Sequence, residues 1–529
     1  MVRGRHGEAH NSGNSSNAAL ETETKFPVVF IHGVFGYGRQ RPLWNYWAPY
    51  WPEAQLQELN RNHVIADVGV ASSDHDRACE LFYQLRGGTV DYGEQHASEA
   101  DHARFGVTFE TSLHPEWSAD NPVHLVGHSF GATTGIELYQ LLCADFFGVG
   151  SNHKWIRSIV SVAGPLTGST LSHMMGLETR DADVRRGTGA HLLAVGFSFW
   201  FKLYQKFPIL KNGYDMRMPQ WGKHSLGDLM STQGPVQTSK DNALFDALPA
   251  YRIRRNAELV HMEKLYLMSI TTTPRTFKHV PVWEVGAFCA ALFLVYKKKC
   301  PSWLWPALAK KWTGVRALLV ALIGMSLWRR AKTIDIAKIP SMAALVWLMR
   351  RRVKTMPVIF DGFDIDHWGH NDGAVNIHSM LRPWFPKPQD IDSAFSEDAQ
   401  AASIPASASS SSLAAAADSS EMVRCASHIS IDGFHHKEHS EKDDEEQRLH
   451  LLHQHRFEKG RWYVYRIDAN HLAGTFWHHD AKDLYKSLFT LMAHEYEREY
   501  DSENDPLLQL RRPHPQNGHN SLPRSASYG

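Results

Sequence analysis

A serine flanked by glycines is the side chain in this sequence best suited to nucleophilic chemistry. Gly127-His128-Ser129-Phe130-Gly131 forms a G-x-S-x-G pattern. It ends the apolar run VHLVGHS, which predicts a buried strand, and it leads into GATTGIELYQLLCADFF, whose apolar spacing predicts a helix. A sharp turn from strand to helix exposes the serine hydroxyl, and small flanking residues let the two elements approach. The pattern therefore predicts a nucleophile elbow, with a merely structural turn as the alternative.

A nucleophilic serine needs a base and an acid that orients this base. With such an elbow, the partners follow in the order Ser, Asp or Glu, His, at the ends of later strands. Asp372 precedes a glycine just after a possible strand, VIF (358–360), and His471 ends the alternating strand RWYVYRIDANHLAGT. We assign Asp372 and His471, with Asp468 or Asp366 as alternative acids.

Two backbone N–H groups are candidates for stabilising a developing oxyanion. The stretch HGVFGYG (32–38) follows an early apolar strand, and this position suits the loop that supplies one donor. The other donor belongs to the residue after the serine, at the N-terminus of the predicted helix. We assign the N–H groups of Val34 and Phe130.

The elements around these residues alternate between strand and helix. FPVVFIHG (26–33), the strand before the elbow, and IRSIVSVAGP (156–165) are apolar, β-branched and punctuated by glycine. This order predicts an α/β protein with a parallel sheet covered by helices. Because 43% of residues are hydrophobic, a wholly disordered or fibrous protein is excluded. With 56 basic and 56 acidic residues, no global attraction to nucleic acid is expected.

Composition also divides the chain into expected domains. We expect a disordered N-terminus at 1–24 and a main domain in two parts, 25–386 and 459–500. A Ser/Ala-rich and then His- and acid-rich insertion at 387–458 is expected to be disordered, because it lacks the apolar residues that offset chain ordering. The tail at 501–529 is expected to be disordered too.

One long segment resembles a known family. SSDHDRACELFYQLRGGTVDYGEQHASEADHARFG is similar, nearly position for position, to a segment of the zinc-binding lipases of thermophilic bacilli and their staphylococcal relatives. The resemblance continues in FIHGVFGYGR, VHLVGHSFGA, AGPLTGSTL, YDMRMPQWG, TTTPRTF, HNDGAVNIHSM and DANHLAGT. It implies an α/β-hydrolase fold with a mostly parallel central sheet, a helical lid and a small inserted zinc-type subdomain. The chain is expected to be a longer, eukaryotic relative.

The resemblance also marks individual residues. It places Ser129, Asp372 and His471 in the catalytic triad and Val34 and Phe130 in the oxyanion hole, in agreement with the assignments above. It implies a carboxylic ester hydrolase that cleaves long-chain acylglycerol esters and needs no cofactor for catalysis. The alternatives are a carboxylesterase on soluble esters and a non-catalytic, membrane-associated scaffold.

A structural zinc ion is a further implication of the resemblance. Within the inserted segment 72–106, Asp76, His96 and His102 fall on three of the family's ligand positions. The fourth position falls on Pro219, which has no side-chain donor. Because structural zinc usually takes four ligands, the sequence predicts an incomplete site.

Other donors are candidates for the missing ligand. His75, Asp215 or a water molecule are the alternatives. The family's calcium ion is not expected, because Ala473 stands where the family has a carboxylate.

An apolar helix is expected to cover the site. AHLLAVGFSFWFKLYQKFPIL (190–210) lies where the resembling lipases carry their lid, which we place at about 171–215. Such a cover shields the pocket when closed and meets lipid when open. An ordinary core helix is the alternative.

The resembling lipases lack most of a basic, apolar insertion at 285–354. Its apolar runs, 285–296, 317–328 and 342–349, are shorter than the roughly 20 residues that span a bilayer. Cationic clusters and tryptophans flank them, which favours a segment lying on an anionic lipid surface. A buried helical hairpin is the alternative. Since the polar N-terminus also lacks the apolar core of a secretory signal, we expect an intracellular protein peripheral to a membrane or lipid droplet.

Overall fold

Seven strands form the central sheet of the protein in a computed structural model. The structure describes residues 22–177, 184–273, 343–356, 359–360, 363–384, 428–431 and 457–497. The strands are β1 (Val28–Ile31), β2 (His63–Ile65), β3 (Gly88–Asp91), β4 (Phe105–Phe109), β5 (Val123–His128), β6 (Ile156–Val162), β7 (Tyr266–Thr272), β8 (His428–Ile431) and β9 (Trp462–Ile467). The sheet order is β2-β1-β5-β6-β7-β9-β8, with every neighbouring pair parallel, while β3 and β4 form a separate antiparallel pair.

Helices connect these strands. They are α1 (Glu53–Leu59), α2 (Asp74–Arg86), α3 (Glu94–Ala100), α4 (Phe130–Cys143), α5 (Leu171–Met174), α6 (Gly189–Lys206), α7 (Leu226–Met230), α8 (Pro235–Thr238), α9 (Ala243–Asp246), α10 (Pro249–Ala257), α11 (Ala343–Val353), α12 (Ile365–Trp368), α13 (Ile377–Leu381) and α14 (Ala481–Leu491). Short 3-10 turns lie at His153–Trp155, Pro208–Asn212, Pro219–Lys223 and Met262–Lys264, and a π-helical turn at Met492–Tyr496 continues α14.

Side chains of the central strands alternate between two apolar cores. In β1, Val28 and Phe30 face the core that α14 covers, whereas Val29 and Ile31 face the core that α2 and α4 cover. Strands buried on both faces require nearly continuous apolar runs, which is why these strands could be recognised in the sequence. The parallel central sheet flanked by helices confirms the predicted α/β-hydrolase fold.

The predicted strands around the elbow agree with the structure, and one other does not. The apolar stretches at 26–33, 123–129 and 156–165 contain β1, β5 and β6. The possible strand VIF is wrong at Ile359 and Phe360, which lie outside any strand. Ile359 is buried in an apolar cluster with Phe360 packed against it, so burial rather than strand pairing accounts for the apolar run.

The inserted segments take the following form. Residues 72–106 contain α2, β3, α3 and the start of β4, and the expected lid region contains α5, α6 and the turn at Pro208–Asn212. Most of the basic insertion, most of the 387–458 insertion and the chain ends beyond 22 and 497 lie outside the described residues. The domain boundaries predicted for them stay predictions. None of the helices that the structure describes is long and apolar enough to cross a bilayer.

Candidate active site and metal centre

Ser129 lies on a sharp turn between β5 and α4. Its backbone has φ 54° and ψ −129°, a left-handed conformation that side chains rarely adopt. Its N–H donates to the carbonyl of Val162 on β6 at 2.8 Å, which holds the turn against the sheet. A methyl group on Gly131 would collide with the carbonyl of Ile31, and one on Gly127 would collide with the first turn of α4. Small residues therefore allow the elbow to form.

The structure brings Ser129, His471 and Asp372 together from distant parts of the chain. Ser129 Oγ lies 2.8 Å from His471 Nε2. His471 Nδ1 lies 2.8 Å from Asp372 Oδ2. Because the aspartate occupies Nδ1, the proton of the neutral imidazole resides there and Nε2 is free to accept the serine proton. The alternative acid Asp366 instead lies exposed in the first turn of α12, where its N–H donates to Asp364 Oδ1 at 2.8 Å.

Asp372 is completely buried and held by hydrogen bonds. The Thr272 hydroxyl, at the end of β7, donates to Oδ2 at 2.6 Å. The N–H groups of Ala374 and Val375 donate to Oδ1 at 3.0 and 2.8 Å. Burial alone would raise the pKa of Asp372, but the nearby His471 and these donors hold it below its ordinary value. The carboxylate therefore stays charged and fixes the imidazole.

The loop that carries Val34 lies against the elbow. A methyl group on the preceding Gly33 would stand 2.7 Å from Ser129 Cβ, so the two segments are in contact. Among the described residues, the Val34 N–H donates to no partner. Phe130 is the first residue of α4, where a helix leaves its N–H groups without intrahelical acceptors. These two groups remain the predicted oxyanion hole.

A second hydrogen-bonded chain connects the same elements. His128 Nε2 lies 2.7 Å from the His471 carbonyl, which only accepts, so Nε2 carries the proton. Nδ1 must then accept from the Tyr50 hydroxyl, 2.6 Å away, and this hydroxyl accepts from the Gly33 N–H at 3.1 Å. Burial, with His471 nearby, lowers the pKa of His128 to about 3. The sequence identified His128 only as part of the elbow and did not identify Tyr50.

Helix α6 covers an apolar cavity beside this site. The Thr188 side chain caps its N-terminus by accepting from the His191 N–H at 3.3 Å. The cavity has a volume of about 110 Å³. Its lining includes Val34 and Phe35 from the oxyanion loop and Phe197 from α6. The helix thus stands where the sequence places a lid, and its opening stays a prediction.

A second cluster of ionisable side chains lies in the inserted segment. One ligand atom from each of Asp76, His96, His102 and Asp241 can be chosen so that all lie within 4.8 Å of one another. His96 Nε2 is 3.1 Å from Asp76 Oδ1 and 3.4 Å from Asp241 Oδ1. His102 Nε2 is 3.5 Å from Asp76 Oδ1 and 3.4 Å from Asp241 Oδ2. Asp241, which the sequence did not single out, therefore stands as the fourth candidate donor in place of Pro219, and the zinc site stays a prediction.

The proposed substitutes for the fourth ligand lie elsewhere. His75 stacks on His96 with ring centroids 3.9 Å apart, but its Nε2 is hydrogen-bonded to the Tyr92 carbonyl at 2.9 Å. Asp215 pairs with Lys211 at 3.3 Å. Neither belongs to the four-residue group.

The four donors fit a divalent cation. His102 Nδ1 lies 2.9 Å from the Ala103 carbonyl, so it carries the proton and Nε2 presents a lone pair to the cluster. His102 Nε2 and both carboxylate oxygens of Asp241 are buried and have no hydrogen-bond partner among the described residues. Gln220 donates to the outer oxygen of Asp76 at 2.7 Å. Two nitrogen and two oxygen donors, with buried negative charge to neutralise, suit zinc.

The parallel sheet flanked by helices is an α/β-hydrolase fold, and comparison with known proteins shows which of them this chain resembles. Residues 24–155 match the family described as "Lipase-like, C-terminal domain". Lipase 2 of Staphylococcus aureus strain MRSA252 is 30% identical over 251 residues, which cover 42% of this chain and 34% of that protein. Lipase 1 of Staphylococcus aureus is 29% identical over 249 residues, with the same coverage. The expected resemblance to staphylococcal lipases is therefore confirmed.

The chain spans about a third of the length of these curated relatives. Among solved structures, the Staphylococcus hyicus lipase is similar with a TM-score of 0.48 and 19% identity, covering 94% of this chain and 97% of that one. EstA from Clostridium botulinum is similar with a TM-score of 0.48 and 20% identity, covering 89% and 87%.

Proposed function

We propose that this protein is a serine ester hydrolase of lipase type that cleaves fatty-acyl esters of acylglycerol-type lipids. The observation that carries the proposal is the hydrogen-bonded chain from Ser129 Oγ through the imidazole of His471 to buried Asp372. The similarity to staphylococcal lipases supports the same reaction class. A scaffold without turnover has no use for a strained serine joined to a base and an acid in hydrogen-bonding distance.

Acylation begins at the serine hydroxyl. As Ser129 Oγ attacks the ester carbonyl carbon, His471 Nε2 accepts the hydroxyl proton. The negative charge that develops on the carbonyl oxygen accepts hydrogen bonds from the N–H groups of Val34 and Phe130. The tetrahedral intermediate then collapses, the bond to the alcohol oxygen breaks, and His471 returns the proton to the leaving alcohol. The acyl group is left on Ser129.

Deacylation repeats the steps with water. His471 removes a proton from water, the resulting hydroxide attacks the acyl carbon, and the bond to Ser129 Oγ breaks. The serine recovers its proton from His471, and a fatty acid leaves. In both steps Asp372 keeps the imidazole in the productive tautomer and stabilises its cation. Since Asp372 is buried and charged, this stabilisation acts in a medium of low dielectric constant.

The cavity beside the serine supports an apolar acyl group as the substrate. Phe197, Phe201 and Leu193 of α6 line it together with Val34 and Phe35. An acyl chain there would replace water against apolar side chains, which is favourable by roughly 25 cal/mol per Å² of buried surface. We also place the protein at a membrane or lipid-droplet surface, where such substrates reside.

A structural zinc ion belongs to the same proposal. Asp76, His96, His102 and Asp241 would hold it, and it would join α2 and α3 to the segment before α9 while neutralising two buried carboxylates. Ser129 and His471 lie outside this group, so the ion has no part in the ester chemistry.

Hydrolysis of emulsified trioleoylglycerol and of dissolved p-nitrophenyl butyrate tests the proposal. We expect fatty-acid release from both, with faster release from the emulsion, and loss of both in Ser129→Ala. Release from the dissolved ester alone would favour a carboxylesterase. Absence of release from both, in protein that remains folded, would favour the scaffold.

A further inference from the structure

An exposed aromatic loop adjoins the candidate active site. Leu43, Trp44, Tyr46 and Trp47 form this aromatic loop, and they are 47%, 47%, 83% and 41% exposed. Large apolar side chains are seldom grouped on a soluble surface unless the surface binds something. Tryptophan and tyrosine combine an apolar ring with a polar edge, which suits the boundary between water and lipid. The catalytic steps above make no use of these side chains.

The backbone holds the loop in a conformation that costs free energy. Leu43, Trp44 and Asn45 have φ of 53°, 53° and 65°, so three consecutive residues other than glycine are left-handed. Two hydrogen bonds of 2.8 Å maintain it, from Leu43 N–H to the Gly213 carbonyl and from Trp44 N–H to the Asn212 carbonyl. Strain of this kind is retained where the conformation has a use. Here it keeps apolar rings outside the core.

The other end of the loop is fixed to the protein body. The Tyr37 hydroxyl donates to the Ala48 carbonyl at 2.8 Å. Trp47 contacts Trp477 with ring centroids 6.5 Å apart, and the Phe476 N–H donates to the Tyr50 carbonyl at 2.9 Å. The loop is therefore attached to the segment that follows His471 as well as to the turn after α6.

Exposed apolar side chains also lie on α6 and in the turn after it, which the loop contacts at Asn212 and Gly213. Leu192 and Phe199 on α6 and Phe207 and Ile209 just after it are 63%, 55%, 49% and 68% exposed. Phe35 is 41% exposed, stacks on α6 and also lines the apolar cavity. Phe35 thus connects the protein surface with the cavity beside the serine.

Charges at this surface are mainly positive. Arg39 and Arg41 precede the aromatic loop, and exposed Lys206 ends α6. Among the described residues of the loop and of α6 there is no acidic side chain. Glu53 is the carboxylate whose charge interacts with Arg39 and Arg41. A cationic rim around exposed aromatic rings complements a lipid surface with anionic headgroups.

We propose that the aromatic loop docks this protein on the surface of anionic lipid aggregates. The inference rests on the proposed function, which requires the serine to meet a lipid phase. The end of the loop at Trp47 and Ala48 is attached to the body of the protein, and its other end contacts the turn after α6. Trp44 and Tyr46 supply the apolar contact, and Arg39 and Arg41 supply the preference for anionic headgroups.

Vesicle co-sedimentation tests this proposal without any turnover. Full-length Ser129→Ala protein is mixed with phosphatidylcholine vesicles, with or without phosphatidylglycerol, and the partition coefficient is measured. We expect tighter binding when phosphatidylglycerol is present. Adding Trp44→Ala and Tyr46→Ala should lower the partition coefficient about tenfold or more, because two aromatic rings no longer leave water. Arg39→Gln with Arg41→Gln should abolish most of the preference for phosphatidylglycerol.

Phe105→Ala is the matched control, because Phe105 is 57% exposed but lies in the β3–β4 pair. Equal binding by the aromatic-loop variant and its parent, or an equal loss in Phe105→Ala, would overturn the proposal. The proposal would also be overturned if the parent protein were a dimer, the variant a monomer, and vesicle binding the same for both. A second copy of the chain would then be what contacts the loop. If the double variant unfolds, the single variant Tyr46→Ala replaces it in the test. We expect it to bind vesicles about threefold more weakly, and unchanged binding would overturn the proposal. Loop-dependent binding by a protein that hydrolyses no ester would reject the proposed function only.

Discussion

Replacing Tyr50 by phenylalanine removes one hydroxyl that joins three parts of the site. This hydroxyl accepts from the Gly33 N–H at 3.1 Å and donates to His128 Nδ1 at 2.6 Å, and His128 in turn holds the His471 carbonyl. Tyr50→Phe leaves a buried N–H and a buried imidazole nitrogen without partners. Each such group costs roughly 1–3 kcal/mol. We therefore expect the free energy of unfolding to fall by about 2–6 kcal/mol. We also expect kcat to fall, because the segment bearing His471 and the oxyanion loop lose the hydrogen bonds that connect them.

Urea denaturation of Tyr50→Phe beside Tyr37→Phe measures this effect. Tyr37 is the matched control, since its hydroxyl donates to the Ala48 carbonyl and not to the elbow, and its loss should cost only about 1 kcal/mol. Chemical steps on a dissolved ester should slow in Tyr50→Phe and not in Tyr37→Phe. The reasoning is refuted if both variants are destabilised equally and retain the same kcat, because the Tyr50 hydroxyl would then be only another buried polar group.

Other predictions follow from single contacts. Burial lowers the pKa of His128 to about 3, whereas the unfolded imidazole has a pKa near 6.5, so stability should be lost as the pH falls from about 6.5 to 3. Urea midpoints against pH should show a shallower loss in His128→Gln; an unchanged slope contradicts this assignment. Asp241→Asn should lower bound zinc, measured by mass spectrometry of metals, and lower the Tm, whereas full zinc content would show that Asp241 is not a ligand. Gly131→Ala should lower the free energy of unfolding by about 1–3 kcal/mol in chemical denaturation, because its methyl group meets the Ile31 carbonyl; wild-type stability would disprove that collision.

Local sequence patterns were enough to predict the elbow. A buried strand, a sharp turn and a helix together produce a recognisable pattern within about twenty residues. The turn brings backbone atoms so close that Gly127 and Gly131 must be small. Asp372 and His471 could not be assigned from local patterns alone. Their positions beside Ser129 depend on which strand ends the fold brings together. Asp372 is held at the end of β7, where the Thr272 hydroxyl donates to its carboxylate. Ile359 and Phe360 of the run VIF lie in an apolar cluster and in no strand.

Contacts between distant segments left no local sequence signal. Asp241 lies outside the segment 72–106 and follows no recognisable motif, yet the fold brings its carboxylate to His96 and His102. Tyr50 likewise reaches His128 through packing of a loop against the elbow. Side chains that meet only through tertiary structure cannot be inferred from spacing along one chain.

Covalent labelling of the nucleophile tests the central claim most directly. A fluorophosphonate phosphonylates an activated serine, and mass spectrometry of the digested protein locates the adduct. The account predicts one adduct, on Ser129, with labelling slowed at least about a hundredfold in His471→Ala because no base removes the hydroxyl proton. Labelling that persists in Ser129→Ala, or that is equally fast without His471, would contradict it.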